Sequence, residues 1–184
     1  MRKTIACCLA LVVAVAILAL PGLTRQQDKS QRPSPPATAS CMLPDGKTIT
    51  TAYSSPRMKG RKIFADDGLA PFGKVWRTGA NEATTFVTTA DLTVGGKTIP
   101  AGSYTLFTIP NADKWTLIIS KKTGEWGIPY PGEQFDFARV DMQVSKLASP
   151  VENFTISYEK SGGGCSLRMD WETTRASVTF TEKM

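Results

Sequence analysis

Histidine is absent from all 184 residues. That absence excludes Ser-His-Asp and Cys-His catalysis, together with every zinc or iron site that relies on imidazole ligands. Cysteine is nearly as scarce, with four in the chain. Cys7 and Cys8 lie too near the amino terminus, ahead of most of the first apolar run, to be lipidated after cleavage, and read as ordinary signal residues. Beyond that run no sustained 3.6-residue apolar stripe occurs, apart from a short turn expected near Asp136 to Arg139, so little helix is expected. No internal repeat is visible either, which sets aside solenoids and propellers.

Net charge is modest once the amino terminus is set apart. The chain carries +6, but residues 1–25 hold Arg2, Lys3 and Arg25 and no acid, so 22 basic residues fall to 19 against 16 acidic ones. An excess of +3 gives no footing for a nucleic-acid binder that must neutralise many phosphates. All of it falls between Tyr53 and Glu82, where Arg57, Lys59, Arg61, Lys62, Lys74 and Arg77 outnumber Asp66, Asp67 and Glu82.

What is present begins with a targeting layout. Arg2 and Lys3 precede an unbroken apolar run from Ile5 to Leu20, followed by Pro21-Gly22, as in a secretory signal. The run is shorter than the roughly 18–20 residues a membrane span needs. The small-residue cleavage site around Ala16, Ala19 and Gly22 is poorly defined, and an uncleaved anchor facing outward is the alternative. Residues 1–25 are therefore expected as signal peptide or anchor, and the protein as secreted or periplasmic, touching membrane only through that segment. Residues 26–40 contain Pro33, Pro35 and Pro36 and no large apolar side chain, the composition of a disordered linker. Residues 41–184 make one domain, a size that supports a proper core.

Cys41 and Cys165 survive processing, and one cysteine pair in an exported chain points to a disulfide; two buried free thiols are the alternative.

Period-two patterning dominates the domain. Phe154, Ile156 and Tyr158 alternate with polar residues from Glu152 to Glu159. Leu167, Met169 and Trp171 do the same, as do Val178 and Phe180, which predicts a carboxy-terminal meander. Tyr104 to Ile109 and Trp115 to Ile119 are apolar on both faces and read as paired central strands across Pro110-Asn111-Ala112-Asp113. Asp45-Gly46 and Gly95-Gly96 are hairpin turn signals. The expectation is an all-β fold, a β-sandwich of about eight to nine mostly antiparallel strands. Asn153-Phe154-Thr155 matches the glycosylation pattern but falls within a strand.

The densest polar cluster amid apolar strand sequence is Trp76-Arg77-Thr78-Gly79-Ala80-Asn81-Glu82. This heptad, with the preceding run from Tyr53 to Phe64, the Pro71-to-Val75 stretch, and Ile99-Pro100-Ala101-Gly102-Ser103-Tyr104 continuing to Trp115, closely resembles the bacterial family called domain of unknown function 2911. The resemblance covers roughly Thr48 to Phe180. It implies an exported domain with no established activity. The chain departs from the family pattern at Ala65-Asp66-Asp67-Gly68, where glycines are usual, and at Phe72, where tyrosine is usual, so no phenol at position 72 takes part in chemistry here.

Two readings of the heptad compete. Arg77 stacked on Trp76 and paired with Glu82 would be an internal staple for the Thr78-Gly79-Ala80 turn. Alternatively Arg77, Asn81 and Glu82 would offer a guanidinium fork, an amide and a carboxylate to a small polar, anionic or carbohydrate-like ligand. Arg57, Lys59 and Arg61 would share one side of an extended backbone, as an anion surface or as charges that protect a strand edge. Trp126-Gly127-Ile128-Pro129-Tyr130-Pro131-Gly132 is a rigid aromatic loop expected to fold its rings over the end of the sandwich, with ligand or partner contact as the alternative. Glu82 with Asp66, Asp67 or Glu125 would supply the two carboxylates of a hydrolase.

The expected ligand-binding set is Arg61, Trp76, Arg77, Asn81 and Glu82. No catalytic residue, metal or cofactor is assigned, and the expected partner is a small polar ligand or an envelope component. A carboxylate-based hydrolase and a purely structural envelope protein are the alternatives.

Overall fold

A computed structural model describes residues 28–183. The signal segment, including Cys7 and Cys8, lies outside the described residues.

Among the described residues nine strands form one hydrogen-bonded sheet: β1 (Pro36–Met42), β2 (Thr48–Ser54), β3 (Thr84–Thr88), β4 (Leu92–Val94), β5 (Lys97–Ile99), β6 (Gly102–Ile109), β7 (Lys114–Ser120), β8 (Asp136–Ser161) and β9 (Gly164–Glu182). Their order is β1-β2-β3-β6-β7-β8-β9-β4-β5, and every named pairing is antiparallel. The all-β expectation holds. The two doubly apolar segments are indeed β6 and β7, paired in the middle of the sheet.

The sheet folds over on itself. β8 and β9 run together as a long hairpin, turned by Gly162 and Gly163 with positive φ of 53° and 78°, and their register shifts between Lys146 and Thr155. Glu172, at φ 53°, marks the irregularity on β9. Beyond it the tip of the hairpin lies against β1 and β2. The Ile156 N–H donates to the Tyr53 hydroxyl at 3.0 Å, Ser55 Oγ donates to the Phe154 carbonyl at 2.7 Å, and Thr51 and Tyr158 share a hydroxyl contact of 2.6 Å. The disulfide Cys41–Cys165, Cα–Cα 6.3 Å, ties β1 to the start of β9. Gly164 stands so close to the far end of its own strand that a Cβ there would meet the Phe180 carbonyl oxygen at 2.1 Å.

Inside the fold lies an aromatic nucleus of Phe64, Trp76, Trp115, Phe154 and Trp171. Trp76 stacks on Trp171 with centroids 5.7 Å apart and meets Phe154 edge-on at 4.9 Å. Each such side chain, fully buried, stabilises the fold by roughly 1.5–3 kcal/mol. A smaller cluster of Ala83, Phe107 and Ile118 sits apart from it, with Val75, Ile109 and Tyr130 packed against it.

Three expectations need correction. Leu167 to Glu172 and Val178 to Phe180 belong to one strand, because the positive φ at Glu172 bends β9 without ending it. The short turn is a 3₁₀ turn at Glu133–Phe135, and Asp136 to Arg139 already pair with β7. Pro36 to Ser40, expected in the disordered linker, form most of β1. Small residues there let the backbone pair with β2 in register from Pro36↔Ser54 to Met42↔Thr48, so the stretch gains ladder hydrogen bonds without a large apolar side chain.

Candidate functional site

The heptad leaves β6 at an isolated bridge. Trp76 exchanges backbone hydrogen bonds with Thr108, at 2.7 and 2.9 Å, and its indole is 7 % exposed in the aromatic nucleus. Trp76 is thus a core residue and offers no face to a ligand. Alternation along the extended backbone sends Arg77 to the opposite side. There it stands beside the smaller cluster: a Cβ added at Gly127 would lie 2.9 Å from the Arg77 Cβ and 3.0 Å from the Ala83 Cβ. Gly127 has φ 84°, and only glycine takes that conformation in so tight a space without strain.

Thr78 then reverses the chain at φ 56°, which a β-branched residue rarely adopts. Its surroundings hold it there. Thr78 Oγ1 donates to Thr108 Oγ1 at 3.1 Å, and the Thr78 carbonyl accepts from Thr84 Oγ1 at 2.6 Å. The Ala80 N–H donates to the Ser54 carbonyl at 3.2 Å. Asn81, a residue that tolerates its φ of 56°, donates from Nδ2 to the Ser34 carbonyl at 2.9 Å.

Glu82 turns toward the N-terminal segment. Arg32 Nη1 donates to both its oxygens, at 3.0 and 2.9 Å, and Lys29 Nζ lies 3.0 Å from Oε1. Its own backbone N–H, then Lys29 and Arg32, hold the carboxyl down at about 2. These groups border an open cleft of about 160 Å³ whose walls include Pro36, Tyr53 and Thr85. The cleft's carboxylate is already matched by two cations.

The five nominated residues therefore do not converge. Arg61 is exposed and spends Nε and Nη2 on the carbonyls of Met58 and Arg57. The Arg57-Lys59-Arg61 stripe does not form, because Lys59 and Gly60 turn the backbone at φ 48° and 69°. Trp76, Asn81 and Glu82 are consumed by the fold, and the expected stacking of Arg77 on Trp76 with a Glu82 ion pair is replaced by the contacts above.

Arg77 is different. Its Nε is buried and has no hydrogen-bond partner, and among the described residues no acid pairs with its guanidinium. Burial pushes the group below its ordinary pKa, disfavouring the charged form. Gly127, which lies against the Arg77 Cβ, belongs to a segment from Glu125 to Gly132 that is held at one end by the Ala83 N–H donating to the Glu125 carbonyl at 3.0 Å. Tyr130 folds inward onto Phe107, 5.1 Å between centroids, and its hydroxyl bonds to Asp136, which Arg139 also engages at 2.7 Å. Burial and then Asp136 push the Tyr130 phenol up to about 12. Trp126 does not follow: it is 53 % exposed, and Ile128 64 %.

Sequence reading missed Lys29 and Arg32 as the partners of Glu82. Both lie in a segment whose composition signals no structure, about fifty positions upstream, and nothing local marks the pairing. Among the described residues no group of three or more cysteines and acids is placed to hold a metal ion.

A family model described as a protein of unknown function, DUF2911, matches residues 34–180. The chain belongs to the DUF2911 family. No curated protein and no solved structure matches it. The DUF2911 match opens at Ser34, the residue that receives Asn81, and includes the heptad, Gly127 and both disulfide cysteines. Lys29 and Arg32 lie ahead of it.

Proposed function

We propose that this DUF2911 protein is an exported, non-catalytic module that binds a small oxyanion-bearing ligand at Arg77. The observation carrying this reading is the partnerless, buried Nε of Arg77. Leaving a buried donor unsatisfied costs about 1–3 kcal/mol, and more for a charged group. A guanidinium recovers that cost most fully from a carboxylate or phosphate, which accepts its parallel N–H groups. The rest of the heptad serves the site indirectly, since the strained Thr78 turn and the Asn81 and Glu82 anchors fix where Arg77 emerges. Export is supported by the Cys41–Cys165 disulfide and by the apolar run from Ile5 to Leu20.

The hydrolase alternative draws less support. A glycosidase-type pair needs one carboxyl raised to act as acid. Glu82 is held at about 2, Asp67 is lowered by Lys62, and Glu125 stands 3.5 Å from Lys122.

Thermal unfolding in acetate, phosphate and sulfate tests the reading on the native protein and on Arg77→Met. Both proteins share the general salt effect, so the difference between them isolates the site. The native protein is expected to gain stability saturably in at least one anion while Arg77→Met does not. Parallel curves in all three would refute the site.

A further inference from the structure

We propose that Trp126 and Ile128 are a second membrane contact of this chain: the apolar run from Ile5 to Leu20 holds the protein at a lipid bilayer, and these two side chains seat in the headgroup layer of that bilayer. The contact is independent of the oxyanion site at Arg77.

Trp126 and Ile128 are 53 % and 64 % exposed, whereas the other exposed large apolar residues described, Met42, Val87 and Phe137, are isolated in sequence. Gly127 between them is buried, and a Cβ there would meet those of Arg77 and Ala83, so the backbone is held to the domain while its neighbours stay in water. The segment is fixed on both sides as well. The Ala83 N–H donates to the Glu125 carbonyl at 3.0 Å, the Phe135 N–H to the Gly132 carbonyl at 3.2 Å, and Tyr130 bonds to Asp136. A loop held in this way loses little freedom when it meets a surface.

The start of the described chain reaches the base of the same loop. Lys29 Nζ lies 3.0 Å from Glu82, and the next residue, Ala83, is the one bonded to Glu125, immediately before Trp126. Only residues 21–27 separate Leu20 from Asp28, a leash of at most about 29 Å at full extension. A domain of this size is roughly 40 Å across. The leash is therefore shorter than the domain it holds, and a chain anchored through Ile5 to Leu20 keeps the Glu82 side toward the membrane. The loop bearing Trp126 and Ile128 belongs to that side.

The residue types suit lipid. Tryptophan concentrates at the membrane–water interface, where its ring lies among the headgroups and its N–H stays wet. Charge adds little, because between Lys121 and Gly132 the charged residues are Lys121, Lys122 and Glu125, an excess of +1, and Lys122 is 3.5 Å from Glu125. One excess charge changes affinity for an anionic surface only about fivefold. Two side chains alone would hold a free domain marginally. Joined to a first anchor they act at high effective concentration, as membrane attachment through two weak signals requires.

The full 184-residue chain, reconstituted in phosphatidylcholine vesicles, tests this by tryptophan fluorescence. Of its four tryptophans, Trp76, Trp115 and Trp171 are buried, so Trp126 is the one open to quenchers from outside the fold. Phosphatidylcholine brominated near the headgroup is expected to quench Trp126, more than lipid brominated at the chain ends, and the vesicles are expected to shield it from aqueous acrylamide. Both effects should vanish in Trp126→Phe, weaken in Ile128→Ser, which keeps the fluorophore, and change little when phosphatidylserine is added. A chain that does not float with the vesicles, equal quenching in the native protein and Trp126→Phe, or quenching that needs phosphatidylserine overturns the inference. A blue shift that grows with protein copies per vesicle and comes without bromine quenching would assign the pair to contact with a second copy, and overturns it too.

Discussion

Arg32 Nη1 donates to both carboxylate oxygens of Glu82, at 3.0 and 2.9 Å, and so withdraws from Arg77 the acid nearest to it in sequence. The pairing has two consequences. It latches the N-terminal segment to the heptad, and it leaves Arg77 without an internal counter-ion among the described residues.

The latch is expected to depend on pH in a defined direction. The Glu82 carboxyl titrates at about 2 in the fold against an ordinary 4.5, so its stabilisation is fully present above about pH 4.5 and is lost as pH falls toward 2. With the side chain 41 % exposed, solvent screening keeps each ion pair to about 1 kcal/mol or less. Melting temperatures of the native protein and Glu82→Gln should differ most above pH 5 and converge near pH 2. A constant gap over that range would contradict the assignment.

Trp76 and Arg77, adjacent in sequence, should respond oppositely to replacement. Trp76→Ala removes an indole packed on Trp171 and Phe154 and is expected to cost about 3–5 kcal/mol. Arg77→Met exchanges a half-buried side chain whose buried Nε lacks a partner for an apolar chain, and urea unfolding should show it as stable as the native protein or more so, by up to about 1–3 kcal/mol. A loss of several kcal/mol in Arg77→Met would mean the guanidinium is a structural staple.

Reducing the Cys41–Cys165 bond frees a loop of 123 intervening residues. On chain-entropy grounds the fold should lose at most roughly 4–5 kcal/mol. Thermal unfolding with and without reductant checks this, and identical curves would contradict it.

Gly164→Ala is expected to destabilise by about 1–3 kcal/mol, because the new Cβ meets backbone, the Phe180 carbonyl at 2.1 Å, which cannot rotate away. Gly163→Ala in the adjacent turn meets nothing within 4 Å, and its cost arises from its φ of 78° alone. Urea unfolding of both variants should show the Gly164 change as an opening of β9 against itself. Native stability in Gly164→Ala would contradict the fold-over of the sheet.

Much of the fold was legible because β structure writes its faces into sequence. Tyr104 to Ile109 and Trp115 to Ile119 are apolar on both sides since they lie mid-sheet, and Phe154, Ile156 and Tyr158 alternate since one side is covered. The heptad identified the family. Its geometry was not legible, because the turn at Thr78 and Asn81 depends on positive φ values held by distant partners, Thr108 and Ser34. Proximity in sequence suggested an Arg77–Glu82 pair. The turn sends the two side chains apart, and composition gave no sign that Lys29 and Arg32 would take the acid. Likewise the aromatic loop folds in only by Tyr130, since Gly127 anchors it and leaves Trp126 outside.

The central claim, an oxyanion site at Arg77, is tested most directly by following the Arg77 Nε–H cross-peak in ¹⁵N NMR titrations with acetate, phosphate and sulfate in turn, assigned by its loss in Arg77→Met. The account predicts a saturable shift of that resonance with at least one of these anions as the N–H gains an acceptor, with the Nε–H groups of Arg61 and Arg175, already bonded, changing little. An Arg77 resonance that stays in place, or drifts linearly with the other arginines, in all three anions would contradict it.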